Sequence, residues 1–255
     1  MVASASRRPL IAVPSRYSAS ASALRYEALV SARALLGAVF AAGGEPLQVL
    51  PSAPGAVLTA EEAADRIAWA DGLLLPGGGD VSARWSGQGA HPTLYDVDEE
   101  QDAFDLALAT HALSRGLPVL AICRGLQVVN VSRGGTTVQD MDDADLPEAA
   151  GLKGHRNHRH QITIEEGSRL HSVVGGTVQA SCYHHQCLAE LGTGMRAVAR
   201  SEEGVVEGVE IPDAAGWFLG LQWHPEDTWG ADPTQLAIFS AFVRACGGDE
   251  AVSAA

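Results

Sequence analysis

The 255-residue sequence predicts an α/β fold: a mainly parallel central sheet with helices on both faces and an antiparallel extension. Three observations carry this expectation. Apolar runs alternate with helix-period segments through the first half of the chain. One run, Leu117–Ile122 (LPVLAI), is continuously apolar, as in a strand buried on both faces. The second half instead carries short strand-like runs separated by turns.

The elements follow in order. Pro9–Pro14 (PLIAVP) reads as the first strand. Leu29, Ala32, Leu36, Val39 and Phe40 mark one face of a helix that stops at Gly43–Gly44. Pro46–Leu50 is a second strand, Glu61–Ala70 a short helix and Asp71–Pro76 a third strand. Asp98–Arg115 is helical, with Phe104, Ala107 and Leu108 inward, and ends at Gly116. After the Leu117–Ile122 strand comes a helix over Arg124–Arg133. Gln161–Ile164, Met195–Arg200, Val205–Ile211 and Trp217–Trp223 are the later strands, and Leu236, Phe239 and Val243 mark a closing helix. Val81–Val97 and Asp142–Asn157 are long irregular segments, the kind that serve as lids or binding loops. With no internal repeat, one domain over 1–255 is expected, with 1–8 and 248–255 as flexible ends.

Composition narrows the function classes. Hydrophobic residues make up 46% and charged residues 19%, a globular balance. The formal net charge of −14 opposes phosphate backbones and anionic lipid, so neither nucleic acid nor a membrane surface is an expected partner. No apolar run reaches the roughly 18 residues that span a bilayer, and the stretch behind Arg7 and Arg8 is too short for a signal-peptide core. Cys123, Cys182, Cys187 and Cys246 do not make a disulfide framework, and a cytoplasmic location with free thiols is expected.

Val119–Gln127 (VLAICRGLQ) is the most informative stretch. A buried strand ends at Cys123 and a helix starts after it, which pushes the thiol out at a sharp turn on the positive end of a helix dipole. Both features favour the thiolate. Ala121 and Gly125 leave room for a nucleophile elbow. The first N–H groups of the helix have no intrahelical acceptor and can receive an oxyanion. The plain alternative is one more buried cysteine.

Trp217–Glu226 (WFLGLQWHPE) offers a base. An apolar strand runs out into His224; in extended backbone a carboxylate two residues on projects to the same side, so Glu226 can hold the imidazole in one tautomer. Pro225 disfavours the helical region for His224. Leu73–Asp80 (LLLPGGGD) is a third strand end, where glycines let backbone N–H groups approach a ligand. A phosphate loop is the rival for it, but no Gly-Lys-Ser/Thr follows. All three signals lie past the C-terminal ends of apolar strands, which in a parallel sheet line one crevice. Whether the strand before His224 runs parallel to the others is not readable from the sequence.

With these residues assembled, the chain resembles the class I glutamine-amidotransferase-like superfamily, and within it the γ-glutamyl-γ-aminobutyrate hydrolase family. The pieces are PGGGDV (Pro76–Val81), ICRGLQVVNVSRGGTTVQD (Ile122–Asp140), YHHQ (Tyr183–Gln186), EGVE (Glu207–Glu210) and GLQWHPE (Gly220–Glu226). The resemblance implies a flavodoxin-like three-layer sandwich with Cys123 as nucleophile, His224 as base and Glu226 as its orienter. It also implies an oxyanion hole from the N–H groups of Gly78 or Gly79 and of Arg124, and a glutamyl pocket lined by Gln127 and His184. Gln101-Asp102 stands where relatives often show Arg-Asp, so any ion pair made by that arginine is absent. Cys182 stands where relatives often show Ser or Asn.

The implied activity is cleavage of the γ-glutamyl amide bond of a small γ-glutamyl amine through a thioester, without metal or organic cofactor, in polyamine or amine catabolism. A glutaminase subunit feeding ammonia to a separate synthase and a non-catalytic binding protein on the same fold are the alternatives. The expected partner is a small γ-glutamyl molecule, and a homodimer is the commonest arrangement if the chain self-associates. His155, His158 and His160 suggest metal ligation, but Arg156 and Arg159 between them oppose a cation, and a polar loop is the expected role. His184 and His185 are expected to line the pocket or serve the structure.

Overall fold

A computed structural model of the chain describes residues 7–19, 24–142 and 156–247. The strands are β1 (Leu10–Pro14), β2 (Arg16–Ser18), β3 (Ala28–Val30), β4 (Glu45–Val49), β5 (Gly72–Leu75), β6 (Val119–Ile122), β7 (Thr137–Val138), β8 (Arg156–Ile164), β9 (Thr177–Tyr183), β10 (Cys187–Leu188), β11 (Arg196–Ser201), β12 (Val206–Glu210) and β13 (Phe218–Leu221). The helices are α1 (Arg33–Ala41), α2 (Ala60–Ile67), α3 (Glu99–Arg115), α4 (Arg124–Ser132), α5 (Arg169–Val174) and α6 (Pro233–Cys246).

Nine strands form one sheet in the order β4-β1-β5-β6-β13-β12-β11-β8-β9. The pairs from β4 to β13 are parallel; those from β13 to β9 are antiparallel. This is the expected flavodoxin-like sandwich with its antiparallel extension. It also answers what periodicity alone left open: β13 runs parallel to β6, pairing Leu221 with Ile122, so His224 and Cys123 leave the sheet at the same edge.

The central strands are buried on both faces, and successive residues feed two cores. Ile11, Val13, Leu74, Leu120 and Ile122 face a cluster completed by Leu35, Phe239 and Phe242. Ala12, Leu73, Leu75, Val119 and Ala121 face the other, completed by Phe104, Leu108, Leu126 and Val129. Each large side chain buried this way contributes about 1.5–3 kcal/mol. Helix ends carry the expected chemistry: Asp98 caps α3 by accepting from the N–H groups of Glu100 and Gln101, and Gly116 closes it at a φ of 69°.

Three readings are corrected. The first helix begins only at Arg33, because Leu29 lies in β3, which pairs antiparallel with β2 in a small hairpin. Phe40 does not face the core: it is exposed, with the Arg8 guanidinium 3.9 Å over its ring. Strand β9 is an addition to the expected elements, although Val178, Ala180 and Cys182 alternate inward; its small and polar residues mask the period. Residues 143–155 of the acidic loop, with His155, lie outside the described residues.

The crossing of α4 over β5 has no slack. A Cβ on Gly125 would stand 2.3 Å from the Leu75 carbonyl oxygen. Gly125→Ala should therefore destabilise the fold by about 1–3 kcal/mol, the range for overpacking a rigid contact. Urea unfolding followed by circular dichroism measures it, and an unchanged midpoint would show that the helix can shift.

Candidate active site

Cys123 occupies the single residue between β6 and α4, with φ 50° and ψ −109°. A non-glycine residue held at such a positive φ costs about 1–3 kcal/mol and persists only where its surroundings dictate it. Here they do. The Cys123 N–H donates to the Leu221 carbonyl at 2.6 Å, and its own carbonyl accepts from the Gln127 N–H at 3.2 Å. Gly125 is wedged against Leu75, and the Arg124 side chain is anchored below the turn.

That anchor is a buried charge network. Arg124 donates to Asp102 at 2.6 Å and to Asp105, both on α3, and all three side chains are almost wholly buried. Burial works against the Arg124 charge, but Asp105 and Asp102 outweigh it and raise its pKa. Burial in turn pushes the Asp105 carboxyl up, despite the attraction of Arg124. Gln101 donates its amide to both Asp105 oxygens at 3.0 and 3.1 Å. Where an arginine–aspartate pair was expected to be missing, an amide completes the same cluster.

His224 follows β13, and its backbone N–H donates to the Ser181 carbonyl on β9 at 2.8 Å. Its Nδ1 meets Glu226 Oε1 at 2.7 Å. The pair is not built on extended backbone, as expected, because Pro225–Asp227 forms a 3-10 turn that swings Glu226 back under the ring. The buried Nε2 has no partner at full hydrogen-bond geometry. Burial alone would lower the ring's pKa; the charges of Cys123 and Glu226, with hydrogen bonding toward both, raise it well above its ordinary value.

Gln222 was not singled out by the sequence, yet its amide donates to the Cys123 sulfur at 3.5 Å. Gln127, expected in the pocket, donates to Gln222 at 3.4 Å and so stands one step behind the sulfur. In the glycine loop, Gly77 is nearest the pair: a Cβ there would lie 2.7 Å from His224 Cε1 and 3.6 Å from Cys123 Cβ. A Cβ on Gly78 would strike Arg16, and one on Gly79 would strike Asp96. Close approach explains the three glycines; none of them is among the positive-φ positions.

The two histidines of YHHQ separate. His185 Nε2 sits 3.0 Å from both Asp80 oxygens. His184 is buried, with Nδ1 against the Gln186 carbonyl at 2.8 Å and Nε2 3.4 Å from Glu207. Cys182, His184 and Glu207 bring potential metal-binding atoms within 4.8 Å of one another. Burial, then the Glu207 charge, pushes the Cys182 thiol far up, away from the thiolate a metal requires. His160 lies on β8 opposite Ala180 of β9, in a sheet and not in a polar loop. Among the described residues no helix is long and apolar enough to cross a membrane.

Strand ends, elbow and histidine–carboxylate pair together define a cysteine site on a glutamine-amidotransferase-like sandwich. Residues 9–226 match the model of the Peptidase C26 family, and the chain belongs to that family. This is a family of hydrolases and glutamine-amidotransferase-like proteins, and the chain is an enzyme of that class. Among its relatives, a "putative glutamine amidotransferase" of Mycobacterium tuberculosis is 36% identical over 208 residues, 80% of this chain and 61% of that protein. The γ-glutamyl-γ-aminobutyrate hydrolase of Escherichia coli O157:H7 is 31% identical over 232 residues, 83% of this chain and 84% of the relative. The crystal structure of a GMP synthase-like protein from Thermoplasma acidophilum superposes with a TM-score of 0.61 over 95% of this chain and 96% of its own; at 14% identity it bears on the fold alone.

Replacing Glu226 by Gln removes one of the charges that raise His224, so the ring should titrate at lower pH in the variant. Any stability the proton brings is complete below the ring's ordinary value near 6.5 and is lost as pH rises through the raised one. Titration of the ring by NMR checks the direction; an unmoved or raised midpoint would remove Glu226 from the pair.

Proposed function

We propose that the chain is a cysteine-dependent hydrolase of the γ-glutamyl amide bond in small γ-glutamyl amines. One observation carries the reading: Cys123, strained into an exit turn, acts electrostatically on a buried imidazole that Glu226 holds at 2.7 Å. The name of the E. coli relative supports the choice of γ-glutamyl substrate.

In this mechanism the Cys123 sulfur attacks the γ-carbonyl carbon, and the π electrons move to oxygen. N–H groups of Arg124 and of Gly78 or Gly79 receive the oxyanion, each preorganised donor contributing about 3–4 kcal/mol. The intermediate collapses by breaking the C–N bond, and the leaving nitrogen takes the proton held on His224. A γ-glutamyl thioester remains. Water then adds to it, giving its proton to His224, and the sulfur leaves as glutamate is released. Glu226 fixes the ring and offsets its charge. No step calls for a metal or organic cofactor.

A glutaminase that supplies ammonia to a separate synthase is the second reading, favoured by the name of the M. tuberculosis relative. Free glutamine cleaved quickly only with a partner present would select it over the first.

Turnover of a panel of γ-glutamyl conjugates of small amines, with wild type beside Cys123→Ala, tests the proposal. We expect unassisted release of glutamate, with kcat lower by at least about 10⁴-fold in the variant, the scale at which nucleophile loss acts. Equal rates in both proteins would end the cysteine mechanism.

A further inference from the structure

Two cavities flank Tyr183, and they differ in charge. One, of about 400 Å³, is lined by Pro14, Arg16, Ser31, Gly77, Tyr183 and His224, with Glu226 at its edge. The other, of about 440 Å³, is lined by Asp140, Asp142, His184 and His185 together with Tyr95 and Tyr183. The mechanism orients a substrate between them. The nitrogen that departs must lie within reach of the His224 proton, so the amine half occupies the His224 cavity. The glutamyl half extends the other way.

Among the described residues Arg16 is the one arginine lining the His224 cavity, and its charge is only half used. Its Nη2 donates to the Asp96 carboxylate at 3.1 Å and to the Asp96 carbonyl at 3.4 Å. Asp96 itself is 71% exposed, so solvent screens that pair. Nη1 lies over Gly78, where a Cβ would come within 2.1 Å of it, and is buried with no hydrogen-bond partner. Burial, then the nearby Arg124 charge, lowers the Arg16 pKa, and Asp96, Asp105 and Asp102 do not make up the difference. A buried N–H of a guanidinium beside an open cavity is a donor set for a carboxylate.

We propose that Arg16 anchors a carboxylate on the leaving-group side of the site, so that the chain selects γ-glutamyl conjugates whose amine carries an acid group over isosteric neutral amines. This rests on the γ-glutamyl hydrolase reading. The glycine loop takes part: a side chain at Gly78 would displace Nη1 from the cavity wall.

The experiment reads one ratio, kcat/KM for γ-glutamyl-γ-aminobutyrate over kcat/KM for γ-glutamyl-n-butylamine, in wild type, Arg16→Gln and Arg16→Lys. A charge-assisted contact predicts a wild-type ratio of about 10 to 100, collapsing toward about 1 in Arg16→Gln and partly recovered in Arg16→Lys. An equal ratio in wild type and Arg16→Gln, whatever the absolute rates, overturns the assignment; it would mean that Arg16 supports the glycine loop or holds the glutamyl half. A wild-type ratio near 1 overturns it as well. Failure of wild type to cleave either conjugate would instead sink the hydrolase reading beneath it. Protection of Cys123 from iodoacetamide by γ-aminobutyrate, compared with n-butylamine, gives a readout independent of turnover. Stronger protection by the acid, lost in Arg16→Gln, is the expected result; equal protection by both counts against the anchor.

Discussion

The backbone of Cys123 is the constraint around which the site is organised. A residue at φ 50° and ψ −109° carries a conformational penalty that nothing local offsets. The compensation comes from three directions. β13 takes the Cys123 N–H through Leu221, α4 is pressed onto Leu75 where Gly125 lacks a Cβ, and Arg124 is tied to Asp102 and Asp105 on α3. Each tie belongs to a different element. The turn is therefore rigid only when the sheet and the helices of that face are assembled, and the sulfur is presented at the sheet edge as a consequence of packing.

Electrostatics then follows from placement. The sulfur lies at the start of α4, where unpaired N–H groups point outward. Gln222 adds a donor at 3.5 Å, and His224 keeps its proton because Cys123 and Glu226 together overcome the cost of burying it. A buried imidazole without those two neighbours would be neutral. The same face carries a second, wholly buried charge cluster at Arg124, and its field reaches Arg16 across the cavity. Positive charge is thus concentrated around a site in an otherwise acidic chain of net charge −14.

Much of the site was legible in residue order. Cys123, His224, Glu226 and the Gly77–Gly79 loop each follow an apolar run, and strand ends in a parallel sheet share an edge. The residues that were not legible share a different property. Arg16 sits in the short β2, Gln222 inside an apolar strand exit, and Asp105 midway along α3; none carries a pattern that separates a site residue from an ordinary polar one. Leu29 and Phe40 misled for a related reason. Spacing suggested a helical face, but hairpin pairing with β2 claimed Leu29, and the Arg8 guanidinium covers Phe40 at the surface.

By itself the sequence determined the α/β alternation, the doubly buried strands and the strand–cysteine–helix turn, because these depend on local periodicity and on which residues tolerate a tight turn. Only the tertiary structure decided that β13 runs parallel beside β6, that Glu226 reaches His224 through a 3-10 turn, and that Arg124 is locked beneath the elbow while Arg16 faces the cavity above Gly78. Most of these are contacts between segments tens of residues apart, and their geometry is set by how two cores pack against one sheet. No local pattern encodes it.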